Sequence, residues 1–273
     1  MSNDKTAAAL DQLNTGVTEL ITSDKWTDYL TTQARFHKYS ANNVLLIMVQ
    51  CPTATTVAGY RAWQKLDRQV RKGEKAIRIL APCTVKTNPD DPESTGRKLV
   101  GFRVASVFDV TQTDGEPLPT VTEQLDGDAP ETLLDALADQ IAAAGYHFTI
   151  GQVPGSANGI TDPADKTVTV QAGMSPAMTA KTTAHELAHV LLHTDGDHLT
   201  EACQQDRGRA EVEAESVAYV VMAAAGIPSD GYTFGYLAGW SGGDVDKVKA
   251  TAAVVQRCAS KILDRLDSEQ VAA

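Results

Sequence analysis

Thr182-Thr183-Ala184-His185-Glu186-Leu187-Ala188-His189-Val190-Leu191-Leu192-His193 is the stretch on which the reading of this 273-residue chain turns. Ser175-Pro176 ahead of it supplies a helix cap followed by a proline in the first turn, so a long helix is predicted as far as about Leu192. Residues four apart share a helix face, and His185 and His189 can therefore offer two imidazole nitrogens to one metal ion about 2.0–2.1 Å away. Glu186 stands one step off that face. From there it can reach a metal-bound water as general base and pass the proton to a leaving amine. His193 continues the series, but i, i+4 and i+8 span about 12 Å of straight helix. One ion cannot bind all three, so His193 is read as packing or as support for a ligand.

A catalytic ion of this kind needs a third protein ligand and an open position. The next predicted helix, Arg209 to Ala225, offers Glu211, Glu213 and Glu215. Glu211 and Glu215 share a face, and either could look at the ion. Glu213 points about 200° away from Glu211 and is expected to be solvated. Tyr219, two turns beyond Glu211, is either an oxyanion donor or a core tyrosine.

Working outward, strands are predicted at His147 to Val153 and Thr167 to Gln171, the latter edge-like. Helices are predicted at Leu133 to Ala144 and Asp244 to Leu263. In the first half, Leu10, Leu13, Val17, Leu20 and Ile21 recur at helical spacing. Ser23 could cap a helix with Trp26 and Leu30, and Ser40 another that runs through Val44 to Val49 and stops at Pro52. A short helix around Tyr60, Trp63 and Leu66 precedes strand-like segments at Ala76 to Leu80 and Leu99 to Val110. Between the halves, residues 111–132 are rich in Asp, Gly, Pro and Thr with no sustained period. The expected division is 1–112, a linker 113–131, and 132–273, both domains α+β.

The formal charge of −11 divides unevenly: residues 1–110 carry 15 basic and 11 acidic side chains, and the remainder 9 and 24. An acidic total therefore does not exclude a nucleic-acid partner for the first half. Seven cations fall between Arg61 and Arg78, namely Arg61, Lys65, Arg68, Arg71, Lys72, Lys75 and Arg78, against Asp67 and Glu74. With Tyr60 and Trp63 on the adjoining helix, this is the composition a single-strand binder needs, in which cations follow phosphates and aromatic faces stack bases; the same run also reads as a solvated face, and Trp63, at helical spacing with Tyr60 and Leu66, as core. Lys72-Gly73-Glu74-Lys75 reads as a turn that a phosphate could approach closely. Ser40, Asn42 and Asn43 are candidate DNA contacts or a helix cap, and Phe102 is a stacking or core residue. The four cysteines, Cys51, Cys83, Cys203 and Cys258, lie far apart and are read as reduced, mostly buried thiols. The longest apolar run, Val217 to Ala225, is too short for a membrane span, and the N-terminus lacks a signal peptide's features. No membrane partner is expected, and the location is read as cytoplasmic.

Thr182 to His193 followed by E-x-x-A-E-S-V-A resembles the zinc metallopeptidases of the ImmA/IrrE type. That resemblance implies zinc on His185, His189 and Glu211, with Glu186 as base. Residues 25 to 112 resemble the single-stranded-DNA-binding domain of ArdC-type antirestriction proteins. The likeness rests on Tyr39-Ser-Ala-Asn-Asn43, Gln50-Cys-Pro52, Val57 to Lys65, Val70 to Lys75, Ile79-Leu-Ala-Pro82 and Phe108-Asp-Val-Thr-Gln112. Together the two resemblances imply a single-stranded-DNA-binding domain joined to a zincin-like metallopeptidase domain, with Asn43, Tyr60, Arg61, Trp63, Lys65, Arg71, Lys72 and Lys75 as DNA contacts. Three functions fit: antirestriction protection or processing of mobile DNA, a regulatory peptidase that cleaves a repressor, or a non-catalytic protector with structural zinc.

Overall fold

In the computed structural model, residues 2–21, 25–86, 97–116, 118, 129–194, 203–227 and 243–272 are described. Ser23, Cys203's side chain and most of the expected linker lie outside them. The chain forms two compact units, 1–19 with 42–119 and 20–41 with 120–273.

In the first unit, α1 (Ser2–Ile21) buries Ala9, Leu13 and Val17. The helix α3 (Ala41–Gln50) is apolar on most of its surface, with Val44, Leu45, Leu46 and Ile47 all buried. Next come β1 (Val57–Gly59), α4 (Tyr60–Lys65) and β2 (Arg68–Val70), followed by β3 (Ile77–Lys86) and β4 (Arg97–Asp109). Sheet order is β1-β4-β3, antiparallel throughout. Alternation along β3 and β4 puts Ile77, Ile79 and Val107 in the core, the opposite face from Val104, Ser106 and Phe108. Fully buried Asp109 ends β4. Its carboxylate accepts from the amides of Thr55 (2.8 Å), Thr56 (3.1 Å) and Thr111 (2.9 Å), and this holds its pKa down against the opposing effect of burial. A single turn of 3-10 helix, Val110–Gln112, leads into β5 (Thr113–Gly115), which pairs with β2. The expected linker therefore begins too early: residues 113–115 are strand, because Arg68, only 9% exposed, spans the pair to Thr113 and the carbonyls of Gly115 and Glu116.

The second unit contains α2 (Lys25–Arg35), α5 (Ala129–Ala143), β6 (His147–Gly151), β7 (Gly159–Asp162), β8 (Thr167–Gln171), α6 (Pro176–Leu192), α7 (Cys203–Ala224) and α8 (Val245–Ala272). The placement of α2 departs from a single cut near residue 112. Trp26, Tyr29 and Leu30 are buried; Trp26 Nε1 donates to Ser216 Oγ (3.1 Å) and Thr31 Oγ1 bonds Tyr219 OH (2.8 Å), tying α2 to α7. A helix expected in the first domain thus supplies core to the second. Sheet order is β6-β8-β7, with β6 parallel and β7 antiparallel to β8. The segment expected to be an edge is the centre of the sheet, and the buried Val168 and Val170 explain why. Ser175 caps α6 at Met178 N, with Pro176 in the first turn. From Val212 to Met222, α7 is buried on nearly every side, and Ala214 and Ala218 allow close packing on α6. No helix among the described residues is long and apolar enough to cross a membrane.

Candidate metal centre

One turn of α6 and one of α7 build the centre. His185 Nε2 and His189 Nε2 face each other at 3.0 Å. Glu211 lies across from both, with Oε2 3.4 Å from His185 Nε2 and Oε1 3.7 Å from His189 Nε2. The three donor atoms lie within 4.8 Å of one another, a group that could hold a metal ion. With the far ring nitrogens protonated, the arrangement suits a cation. His185 Nδ1–H donates to Glu215 Oε2 (3.1 Å), whose other oxygen meets Lys181 Nζ at 2.9 Å. His189 Nδ1–H donates to His193 Nδ1 (3.0 Å), and His193 Nε2–H donates to Glu213 Oε2 (3.2 Å). Once His185 gives up its second proton, both Nε2 lone pairs can face an ion. Glu215, on the wrong side of the ring to share it, positions His185.

Glu213 is not solvated, contrary to its expected place. It is 3% exposed, accepts from Arg209 Nε (2.8 Å) and Thr251 Oγ1 (3.4 Å), and carries the chain that ends on His189. The 200° offset on α7 was right, but that side faces α8 rather than water. His193 and Arg209 lower its pKa against the opposing pull of burial. Tyr219 is buried and bonded to Thr31, so it is a core tyrosine and does not line the cleft.

Glu186 is 5% exposed. Thr161 Oγ1, on β7, donates to its Oε2 at 2.6 Å. Burial raises the Glu186 pKa, and the Thr161 bond offsets part of that rise. Gly159, also on β7, passes so close that a Cβ there would stand 2.5 Å from Glu186 Oε1. Sequence patterning missed this strand, because Gly-Ile-Thr-Asp between Pro154 and Pro163 reads as loop. In the metal-free arrangement burial opposes charge on His185, but Glu211 and Glu215 outweigh it and push its pKa up to about 9. Burial and the His185 charge push His189 down to about 4. A cleft of about 780 Å³ opens onto these groups, lined among others by Asn158, Ile160, Met178 and Thr194.

In the first unit the expected DNA contacts separate. Trp63 is fully buried and donates through Nε1 to the Phe108 carbonyl (2.9 Å), so its ring is core. Asn43 is 8% exposed and bonds both backbone groups of Leu80, locking α3 to the edge of β3. Arg71 is held by Glu74 (2.8 Å), Asp114 (3.4 Å) and the Thr111 carbonyl (2.6 Å). Tyr60, Arg61, Lys65, Lys72 and Lys75 are exposed. Gly73 has φ +94°, as the expected turn requires. Cys258 is buried, but Cys51 and Cys83 are only half-buried, less than expected.

Comparison with known proteins matches both halves. Residues 5–110 match the N-terminal domain of anti-restriction factor ArdC, and residues 140–231 the IrrE N-terminal-like domain of peptidase family M78. An uncharacterized protein of Bacillus anthracis is 22% identical over 310 residues, an alignment covering 97% of this chain and 52% of that one. The chain thus spans about half the length of that curated relative. Crystal structures of the antirestriction ArdC protein from the R388 plasmid share the fold at 21% identity. The metal-free form has a TM-score of 0.54, with 84% of this chain and 86% of that one covered; the Mn(II)-bound form has 0.53, with 83% and 84%. The chain therefore joins an ArdC N-terminal domain to an IrrE N-terminal-like M78 peptidase domain, in an ArdC-like fold.

Proposed function

We propose that this chain is an antirestriction-type protein of mobile DNA, in which the first unit binds single-stranded DNA and the second is a zinc-dependent peptidase. The observation that carries the reading is the convergence of His185, His189 and Glu211 beside Glu186 in an open cleft. Two imidazoles and a carboxylate are the donor set of a catalytic zinc. That the R388 relative has a Mn(II)-bound form supports a divalent cation for this chain.

When bound, the ion supplies Lewis-acid polarisation of a carbonyl and a more acidic water. The chain's own residues supply the rest. Thr161 holds Oε2 of Glu186, leaving Oε1 to take a proton from the attacking water and return it to the leaving amine. Burial keeps that carboxylate more basic than usual, which suits a proton acceptor. As an edge strand lining the cleft, β7 offers backbone to an extended peptide. The acidic surroundings favour a basic peptide segment.

Glu186→Gln tests the reading in one comparison. The unaltered, zinc-loaded chain is expected to cleave members of a basic peptide pool, whereas E186Q keeps its zinc and loses cleavage. Antirestriction that persists in E186Q would assign protection to DNA coating alone and leave the ion a structural role. Loss of both would tie protection to proteolysis, as in cleavage of a regulatory protein.

A further inference from the structure

We propose that single-stranded DNA lies across the outward face of the β1-β4-β3 sheet, with Phe102 as its main stacking surface. This rests on the reading that the first unit binds single strands, and it centres the site on the sheet rather than on the buried Trp63. Register defines the face. Phe108 pairs with Ala58, Ser106 with Arg78 and Phe102 with Pro82, all pointing opposite to the buried Ile77, Ile79 and Val107. The register shift between Cys83 and Thr84 brings Leu99 opposite Thr84, so Leu99 returns to the same face as Phe102.

The surface has the chemistry of a stacking platform. Phe102 is 55% exposed and Leu99 51%. Farther along the strand, exposed Tyr60 meets Phe108 edge-on at 6.5 Å. Phe102 and Phe108 are six residues apart on one strand, about 20 Å, which leaves room for more than one base. Arg78 and Arg97 are exposed on this side of the ribbon, and Arg97 Nε is steadied by Thr84 Oγ1 at 2.8 Å. Neither strand has an acidic residue before the buried Asp109, so the face complements a phosphate backbone. A protein strand added to the β3 edge is disfavoured at Arg78 and Leu80, whose backbone groups are taken by Gln50 and Asn43. A half-exposed aromatic beside cations, on a sheet whose edge is closed there, fits stacked bases better than an added strand.

The test uses the full chain and a labelled, unstructured oligo-dT titrated at several salt concentrations. Phe102→Ala should weaken binding roughly 5- to 150-fold, the loss of one stack, and Phe102→Trp should restore it. Arg97→Ala should flatten the plot of log affinity against log salt by about 0.7. Both exposed-site variants should melt with the unaltered chain, which separates loss of contact from loss of fold. If the unaltered chain binds but Phe102→Ala and Arg97→Ala change neither affinity nor slope, the platform is overturned while single-strand binding stands. Failure of the unaltered chain to bind at low salt overturns the single-strand reading itself.

Discussion

Replacing Glu211 and Glu215 one at a time should separate a metal ligand from the group that positions one. In a tetrahedral site with bonds of about 2.0–2.1 Å, neighbouring donors stand about 3.3 Å apart. The three separations here are 3.0, 3.4 and 3.7 Å, so the existing side chains need to shift little to close on an ion. Glu215 instead meets the opposite ring nitrogen of His185, where it can orient the ring but cannot share the ion. Spreading the roughly 10–16 kcal/mol apparent binding energy of a four-ligand zinc site evenly gives about 2.5–4 kcal/mol per ligand. Glu211→Ala should accordingly weaken zinc binding roughly 70- to 900-fold. Glu215→Ala, which releases the His185 ring and removes the carboxylate bonded to Lys181, should cost roughly 10- to 100-fold. Competition against a chelator of known affinity at fixed pH measures both. The assignment fails if Glu215→Ala is the more damaging change, or if Glu211→Ala binds zinc as tightly as the unaltered chain.

Metal loading should strengthen with pH: His185 holds a proton up to about 9 in the metal-free arrangement, so the ion must displace it. Affinity should rise by up to roughly tenfold per pH unit from 6.5 and level off above about 9, with proton release measured calorimetrically in buffers of different ionisation enthalpy. The same raised value means that the His185 contribution to metal-free stability is complete below about pH 6.5 and lost as pH climbs through 9, so the stabilisation by zinc in melting experiments should grow over that window. Gly159→Ala should leave zinc stoichiometry intact and slow peptide cleavage roughly 100-fold, because the new Cβ displaces the Glu186 carboxylate from its 2.6 Å bond with Thr161. Cleavage at the unaltered rate would show that the Glu186 position is not critical. Trp63→Ala should cost about 3–5 kcal/mol in denaturant unfolding as a core deletion, whereas Phe102→Ala should stay within about 0.5 kcal/mol. Equal stability of the two would return Trp63 to the surface.

The helical period and the i, i+4 rule were enough to place α6, its Ser175 cap and the paired His185 and His189, because those properties depend on residues within a turn of one another. The same local logic placed Glu211 and Glu215 on one face of α7 and identified the positive turn at Gly73. Whether a helix face meets water or another helix is not a local property. Tertiary packing alone put Glu213 against α8 and His193, enclosed Trp63 and Asn43, and gave α2 to the second unit through Trp26 and Thr31. The short strand β7 had no periodic signal of its own, since four residues with a glycine and an aspartate are extended only because β8 pairs with them. That pairing brings Thr161 and Gly159 to Glu186. The chain's pattern thus specified which groups could do the chemistry, and the fold decided which of them stand together, since burial and long-range pairing are set by neighbours distant in sequence.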